Sequence, residues 1–196
     1  MRSQVLENIE VIRDRKESSV NPRKFILWLF IVTIVMLFAA LTSAYLVKQG
    51  EGNWLHFNLP ELFWINSGII VLSSISMQFA FVAAKKDHIS KIKIFLSITL
   101  TLGLTFLLGQ YLSWEELVKQ DVFFVGNPAG SFIYVLTGLH AFHLISGIIF
   151  LLIVLYSAFK YRIHSKNLTS MEMATTFWHF LGALWLYLFF FLKIYH

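Results

Sequence analysis

Residues 25–47 read FILWLFIVTIVMLFAALTSAYLV, an apolar run without a single Asp, Glu, Lys or Arg. A helix needs about 20 such residues to cross the hydrocarbon core of a bilayer. Four further runs meet the same criterion, at residues 62–84, 94–113, 131–159 and 174–192. The sequence therefore predicts an all-α integral membrane bundle of five transmembrane helices.

The composition agrees with this fold class and excludes several functions. Of the 196 residues, 57% are hydrophobic and only 14% are charged, whereas a soluble domain has about 25% charged residues. The chain has no cysteine, which excludes disulfides, thiolate zinc sites and iron–sulfur ligation. Because no span contains a charged residue, a transporter or channel with an ion-binding carboxylate is disfavoured.

Lysine and arginine predict the orientation of the spans. Thirteen of them lie in the N-terminal tail and in the loops after spans two and four, and three lie in the remaining segments. By the positive-inside rule the N-terminus is cytoplasmic (or in a mitochondrial matrix) and the C-terminus is outside. We expect residues 1–24 to form a cytoplasmic tail and residues 25–196 to form one transmembrane domain. The first 20 residues contain no apolar block, so we expect the first span to direct insertion.

Three histidines lie within the predicted spans: His140 and His143 in the fourth and His179 in the fifth. Such groups are costly in lipid and are therefore functional candidates. Their positions place His143 and His179 within about 4 Å of the same depth. The two could hold a metal or a haem, because neutral imidazole is a common ligand. Alternatively, all three are neutral and hydrogen-bond to neighbouring helices or to another subunit.

Two segments resemble those of a known family. Residues 137–143, TGLHAFH, followed by Gly147, resemble the TGxHxxH…G segment of subunit III of the haem–copper respiratory oxidases, the cytochrome c oxidase type. Residues 178–180, WHF, followed by residues 185–189, WLYLF, resemble that family's WHF…WLxLF segment. The likeness runs from about residue 108 to the C-terminus, and the five spans match the short bacterial form.

Individual positions both match the family and depart from it. Gln110 and Glu172 occupy positions where the family has a glutamine and a glutamate. Ser113 stands where the family commonly has a glutamate, and Gly182 stands near a frequent aspartate. Glu172 also fits a helix-capping box that begins at Thr169, so a local role and an intersubunit role are both open for it.

The resemblance implies a non-catalytic subunit with no haem, copper or other metal site of its own. Haem and copper would belong to oxidase subunits I and II, beside which this chain would pack while binding structural phospholipid. Helix or subunit contacts would then be made by five residues, His140, His143, Glu172, Trp178 and His179. The complex would reduce dioxygen to water in aerobic respiration and pump protons. Its location would be the inner membrane of a bacterium or, as the alternative, of a mitochondrion.

Two alternative functions stay open at this stage. One is the accessory protein of nitric oxide reductase, which belongs to the same family. The other is a small membrane cytochrome with His143 and His179 as haem ligands. A larger respiratory supercomplex is a further partner to consider, whereas nothing implies a nucleic-acid partner.

Overall fold

The computed structural model of the chain describes residues 21–52, 54–55, 57–160 and 168–195. Its helices are α1 (Pro22–Gly50), α2 (Leu62–Lys85), α3 (Ile89–Lys119), α4 (Pro128–Phe159) and α5 (Thr169–Tyr195). All five are long and apolar enough to cross a membrane. The prediction of an all-α bundle of five transmembrane helices is therefore confirmed, and the chain is a multi-pass membrane protein. Of the predicted tail, residues 1–20 lie outside the described residues and residues 22–24 belong to α1.

Two of the helices begin with an asparagine followed by a proline. Asn21 precedes Pro22 at the start of α1, and its side-chain oxygen accepts a hydrogen bond from the Arg23 amide at 3.1 Å. Asn127 precedes Pro128 in the same way and accepts from the Ala129 amide at 2.9 Å. Asparagine satisfies an otherwise unpaired amide at a helix start, and proline suits the first turn.

Four helices form a closed ring. The most extensive pairing is between α2 and α3, and α3 then contacts α4, α4 contacts α5, and α5 returns to α2. Hydroxyl groups line the α2–α3 interface, where Ser76 Oγ donates to the Phe95 carbonyl at 3.0 Å. Small side chains let two helices approach closely, which is how helices associate in lipid.

Helix α1 lies outside this ring and, within the described residues, contacts only α4 and α5. At one end, the Thr42 and Tyr187 hydroxyls are 3.1 Å apart, and Gln49 Nε2 donates to the Tyr195 carbonyl at 2.6 Å. Farther along, the rings of Phe30 and Phe177 pack with their centroids 5.8 Å apart. Because α1 has few neighbours, most of its surface faces away from the bundle.

The outward surface of the bundle is made of large apolar side chains. Leu108, for example, is 67% exposed, and Met36, Ile65 and Phe142 are similarly exposed. Water would strongly disfavour so much apolar area, whereas lipid solvates it. The outer faces are therefore suited to a membrane.

Candidate interhelical contact site

Trp178 lies at the centre of the ring and joins three helices. Its indole N–H donates to Ser73 Oγ of α2 at 2.9 Å, and its side chain is 1% exposed. The indole ring lies against Gly103 of α3, where an added Cβ would be 2.8 Å from the ring. A contact that short is not tolerated, so α3 needs a glycine here.

Trp185 repeats this arrangement two turns farther along α5. Its indole N–H donates to Ser67 Oγ of α2 at 3.1 Å. Its ring meets Phe106 of α3 edge-on with centroids 4.8 Å apart, and His140 of α4 lies 5.3 Å away. The second motif therefore supplies two tryptophans that each donate to a serine on α2.

His140 is fully buried among these rings. Its side chain is 0% exposed, and neither ring nitrogen has a hydrogen-bond partner within the described residues. Two other buried side chains have unpartnered atoms, the amide nitrogen of Asn66 on α2 and both amide atoms of Gln110 on α3. Unpaired polar atoms in the interior cost about 1–3 kcal/mol each, so partners for these three side chains would stabilise the bundle.

His143 is buried against α1 instead. Its Nδ1 donates to the carbonyl oxygen of Leu139, one turn earlier, at 2.7 Å. Its ring lies 5.9 Å from Phe38 and 6.4 Å from Phe30. The two histidines of the first motif thus have different neighbours, because His140 faces α3 and α5 whereas His143 faces α1.

The glycine of the first motif also has a steric role. An added Cβ at Gly147 of α4 would lie 2.7 Å from Leu181 Cδ1 of α5 and 3.6 Å from the Trp178 ring. Gly103 and Gly147 therefore flank Trp178 from α3 and α4. The two motifs meet at this point.

Glu172 forms an ion pair with α1. Its Oε2 lies 2.5 Å from Lys24 Nζ, with side-chain exposures of 35% and 44%. The expected capping box is wrong, because α5 already includes Thr169 and the Glu172 amide donates to the Leu168 carbonyl at 2.9 Å. The Glu172 carboxylate connects α1 to the start of α5.

His179 is partly exposed, whereas the other two histidines are buried. Its Nε2 and the Gln78 side-chain oxygen of α2 are 3.2 Å apart. Because an amide oxygen only accepts, the imidazole donates from Nε2 and its Nδ1 is left as an acceptor. The pair lines a groove of about 540 Å³ between α2 and α5.

The geometry gives no support to a shared ligand for His143 and His179. The first contacts α1 and the second contacts α2, and no ring contact or hydrogen bond joins them within the described residues. Nor does that part of the chain bring three His, Asp or Glu side chains together for a metal ion. The hypothesis that His143 and His179 hold a metal or a haem together is therefore not supported by their contacts.

Comparison with known proteins decides the family. The family model described as "Cytochrome c oxidase subunit III" matches residues 14–196. The chain belongs to the cytochrome c oxidase subunit III family. This finding confirms the resemblance drawn from the two motifs, and subunit III of this family has no redox cofactor of its own.

Individual relatives share about three residues in ten with this chain. Cytochrome c oxidase subunit 3 of Corynebacterium diphtheriae is 29% identical, over 82% of this chain and 82% of the relative. Cytochrome bo(3) ubiquinol oxidase subunit 3 of Buchnera aphidicola subsp. Schizaphis graminum is 29% identical, over 91% and 97%. Cytochrome c oxidase subunit 3 of Thermostichus vulcanus is 30% identical, over 83% and 82%.

The two positions that depart from the family pattern both lie inside the bundle. Ser113 is fully buried, and its Oγ donates to the Gly109 carbonyl of its own helix at 2.8 Å. At Gly182 an added Cβ would lie 2.9 Å from Ser74 Oγ of α2. A side chain at Gly182 would therefore have to displace the Ser74 hydroxyl.

Four polar residues of α2 were missed from the sequence: Asn66, Ser67, Ser73 and Gln78. The cost of ionisable side chains in lipid indicates the histidines only, although amides and hydroxyls also need partners there. Asn66 and Gln78 are amides inside apolar runs, which is the signal that identifies them.

Proposed function

We propose that this chain is the non-catalytic subunit III of a proton-pumping terminal oxidase that reduces dioxygen to water. Membership of the family makes it a component of an oxidase that has other subunits. In this proposal it packs beside subunit I, stabilises it and binds structural phospholipid. Haem and copper belong to subunits I and II.

The contacts that the two motifs make between helices support this role. Trp178 and Trp185 donate to serines of α2, and His140 packs on Trp185. The motif side chains that face the ring therefore hold helices together rather than converge on a substrate. A rigid helical unit of this kind is suited to supporting a neighbouring subunit.

We place the chain in the inner membrane of a bacterium, with its N-terminus in the cytoplasm. The asymmetry of lysine and arginine supports the orientation, and the named relatives come from bacteria. A cysteine introduced near Gly126, between α3 and α4, is expected to react with an impermeant thiol reagent from outside. A cysteine introduced at Asp87, between α2 and α3, is expected to react only after the membrane is opened.

The experiment that tests the proposal is purification of the tagged chain from native membranes in mild detergent. We expect haem-bearing subunits to co-purify and the preparation to consume oxygen. Activity with nitric oxide instead of oxygen would support the nitric oxide reductase alternative. A chain that purifies alone, without haem, would contradict both.

A further inference from the structure

Three buried polar side chains share one level of the ring interior. On α3, Gln110 lies one helical turn from Phe106 and one turn from Trp114. Phe106 packs on His140 of α4 with ring centroids 5.9 Å apart, and Trp114 Nε1 donates to Thr137 Oγ1 of α4 at 3.0 Å. Because Gln110 lies between these two contacts on the same face of α3, its side chain is directed at α4 near His140.

Asn66 of α2 lies at the same level. Its side-chain oxygen packs against Gly109, next to Gln110 in the sequence, so closely that a Cβ there would clash with it. Trp185 packs on His140 and donates to the serine that follows Asn66. Asn66, Gln110 and His140 are each at most 1% exposed. These three residues, contributed by three helices, form one buried polar layer.

The unpartnered atoms of the polar layer are mainly donors. Within the described residues they are both amide atoms of Gln110, the amide nitrogen of Asn66 and both ring nitrogens of His140. Each amide nitrogen donates two hydrogens, whereas a neutral imidazole donates one and accepts one. Because the donors outnumber the acceptors, the three side chains cannot satisfy one another, even where two of them bond directly.

Water is the ligand whose chemistry fits this set of atoms. A cation is disfavoured because most of the unpartnered groups donate. An anion is disfavoured because no span contains a cationic side chain that would offset its burial. A water molecule both donates and accepts, and a buried water makes about three hydrogen bonds to polar groups that are otherwise unpaired.

We propose that the polar layer binds ordered water inside the four-helix ring, held by Gln110, His140 and Asn66. This water accepts from the two amide nitrogens and donates to the unprotonated nitrogen of His140. His140 lies about 18 Å along α4 from Pro128, so the water is bound at membrane depth. Because the site lies within one chain, it does not depend on the oxidase complex proposed above.

The stability of a near-isosteric variant gives one test, because wet and dry layers predict changes of opposite sign. Gln110→Met replaces the amide by an apolar side chain of similar size. With bound water, the variant should melt about 2–4 °C below the wild type, the effect of one lost hydrogen bond. In a dry layer the loss of an unpaired amide should raise the melting temperature instead. Leu96→Met is the matched control, because it puts the same side chain at a buried apolar position of α3, where such a swap is well tolerated. A Gln110→Met protein that melts at or above the wild-type temperature contradicts the inference.

The direct test is an electron cryo-microscopy map of the purified wild-type protein at a resolution that shows ordered water. We expect a water peak within about 2.7–3.2 Å of the Gln110 amide and of a His140 ring nitrogen. A polar layer without such a peak overturns the inference, whether or not Gln110 and His140 bond directly to each other. This outcome is readable even if the Gln110→Met variant fails to fold.

Discussion

Trp178 of α5 and Ser73 of α2 are joined across the centre of the ring by a hydrogen bond of 2.9 Å. Both side chains are buried, and they are 105 residues apart in the sequence. The bond therefore ties the last helix of the chain to the second. In lipid the hydrophobic effect does not drive helices together, so packing and such bonds carry the association.

Replacing Ser73 with alanine removes the acceptor of this bond. Ser73→Ala is expected to lower the free energy of unfolding by about 1–3 kcal/mol, because the Trp178 N–H is left buried without a partner. The measurement is an SDS titration in mixed micelles. Ser157→Ala is the control, since that hydroxyl donates to the Ile153 carbonyl of its own helix. Equal stability of the two variants would contradict the account.

Gly103 is expected to tolerate no side chain. Gly103→Ala places a methyl group 2.8 Å from the Trp178 ring, and overpacking of this kind costs about 1–3 kcal/mol. Thermal unfolding in detergent is the measurement. Gly68→Ala is the control, because an added Cβ there meets nothing within 4 Å, and its stability should be unchanged or higher. A Gly103→Ala protein as stable as the wild type would show that Trp178 is loosely packed.

The ion pair between Lys24 and Glu172 is expected to contribute little to stability. Both side chains are partly exposed, so Glu172→Gln should cost less than about 1 kcal/mol. The charge-reversed double variant Lys24→Glu/Glu172→Lys should recover that loss, and its retention in the complex should equal that of the wild type. If the double variant recovers the stability of the wild type but is retained less well in the complex, Glu172 contacts another subunit directly.

His143 is expected to matter for packing and not for redox chemistry. His143→Leu removes a ring that fills the space between α4 and the phenylalanines of α1, so stability should fall by about 1–3 kcal/mol. The positions of the haem absorption bands of the complex should not move. A displaced band would support the cytochrome hypothesis that the geometry disfavours.

Much of the fold could be predicted because apolar length alone identifies a transmembrane helix. All five predicted spans lie inside observed helices, and the helices are longer because polar ends continue them beyond the apolar layer. The second span shows the limit of that signal. Nothing in the apolar run of residues 62–84 indicates that Ser73 faces α5 while Gln78 faces outward.

The site was predicted less well because side-chain direction depends on which helices are neighbours. The depths of His143 and His179 suggested a common ligand, but depth does not specify rotation about the helix axis. Gly103 illustrates the same limit, since its need to be glycine comes from Trp178, a residue far away in sequence. The family motifs identified the right residues, and only the packed bundle assigns their partners.

The central claim is that this chain is a haem-free subunit of a haem-containing oxidase. The most direct measurement is the absorption spectrum of the purified complex, followed by that of the chain after its separation from the complex. The account predicts haem bands in the complex and none in the separated chain. A Soret band that stays with the separated chain would contradict it.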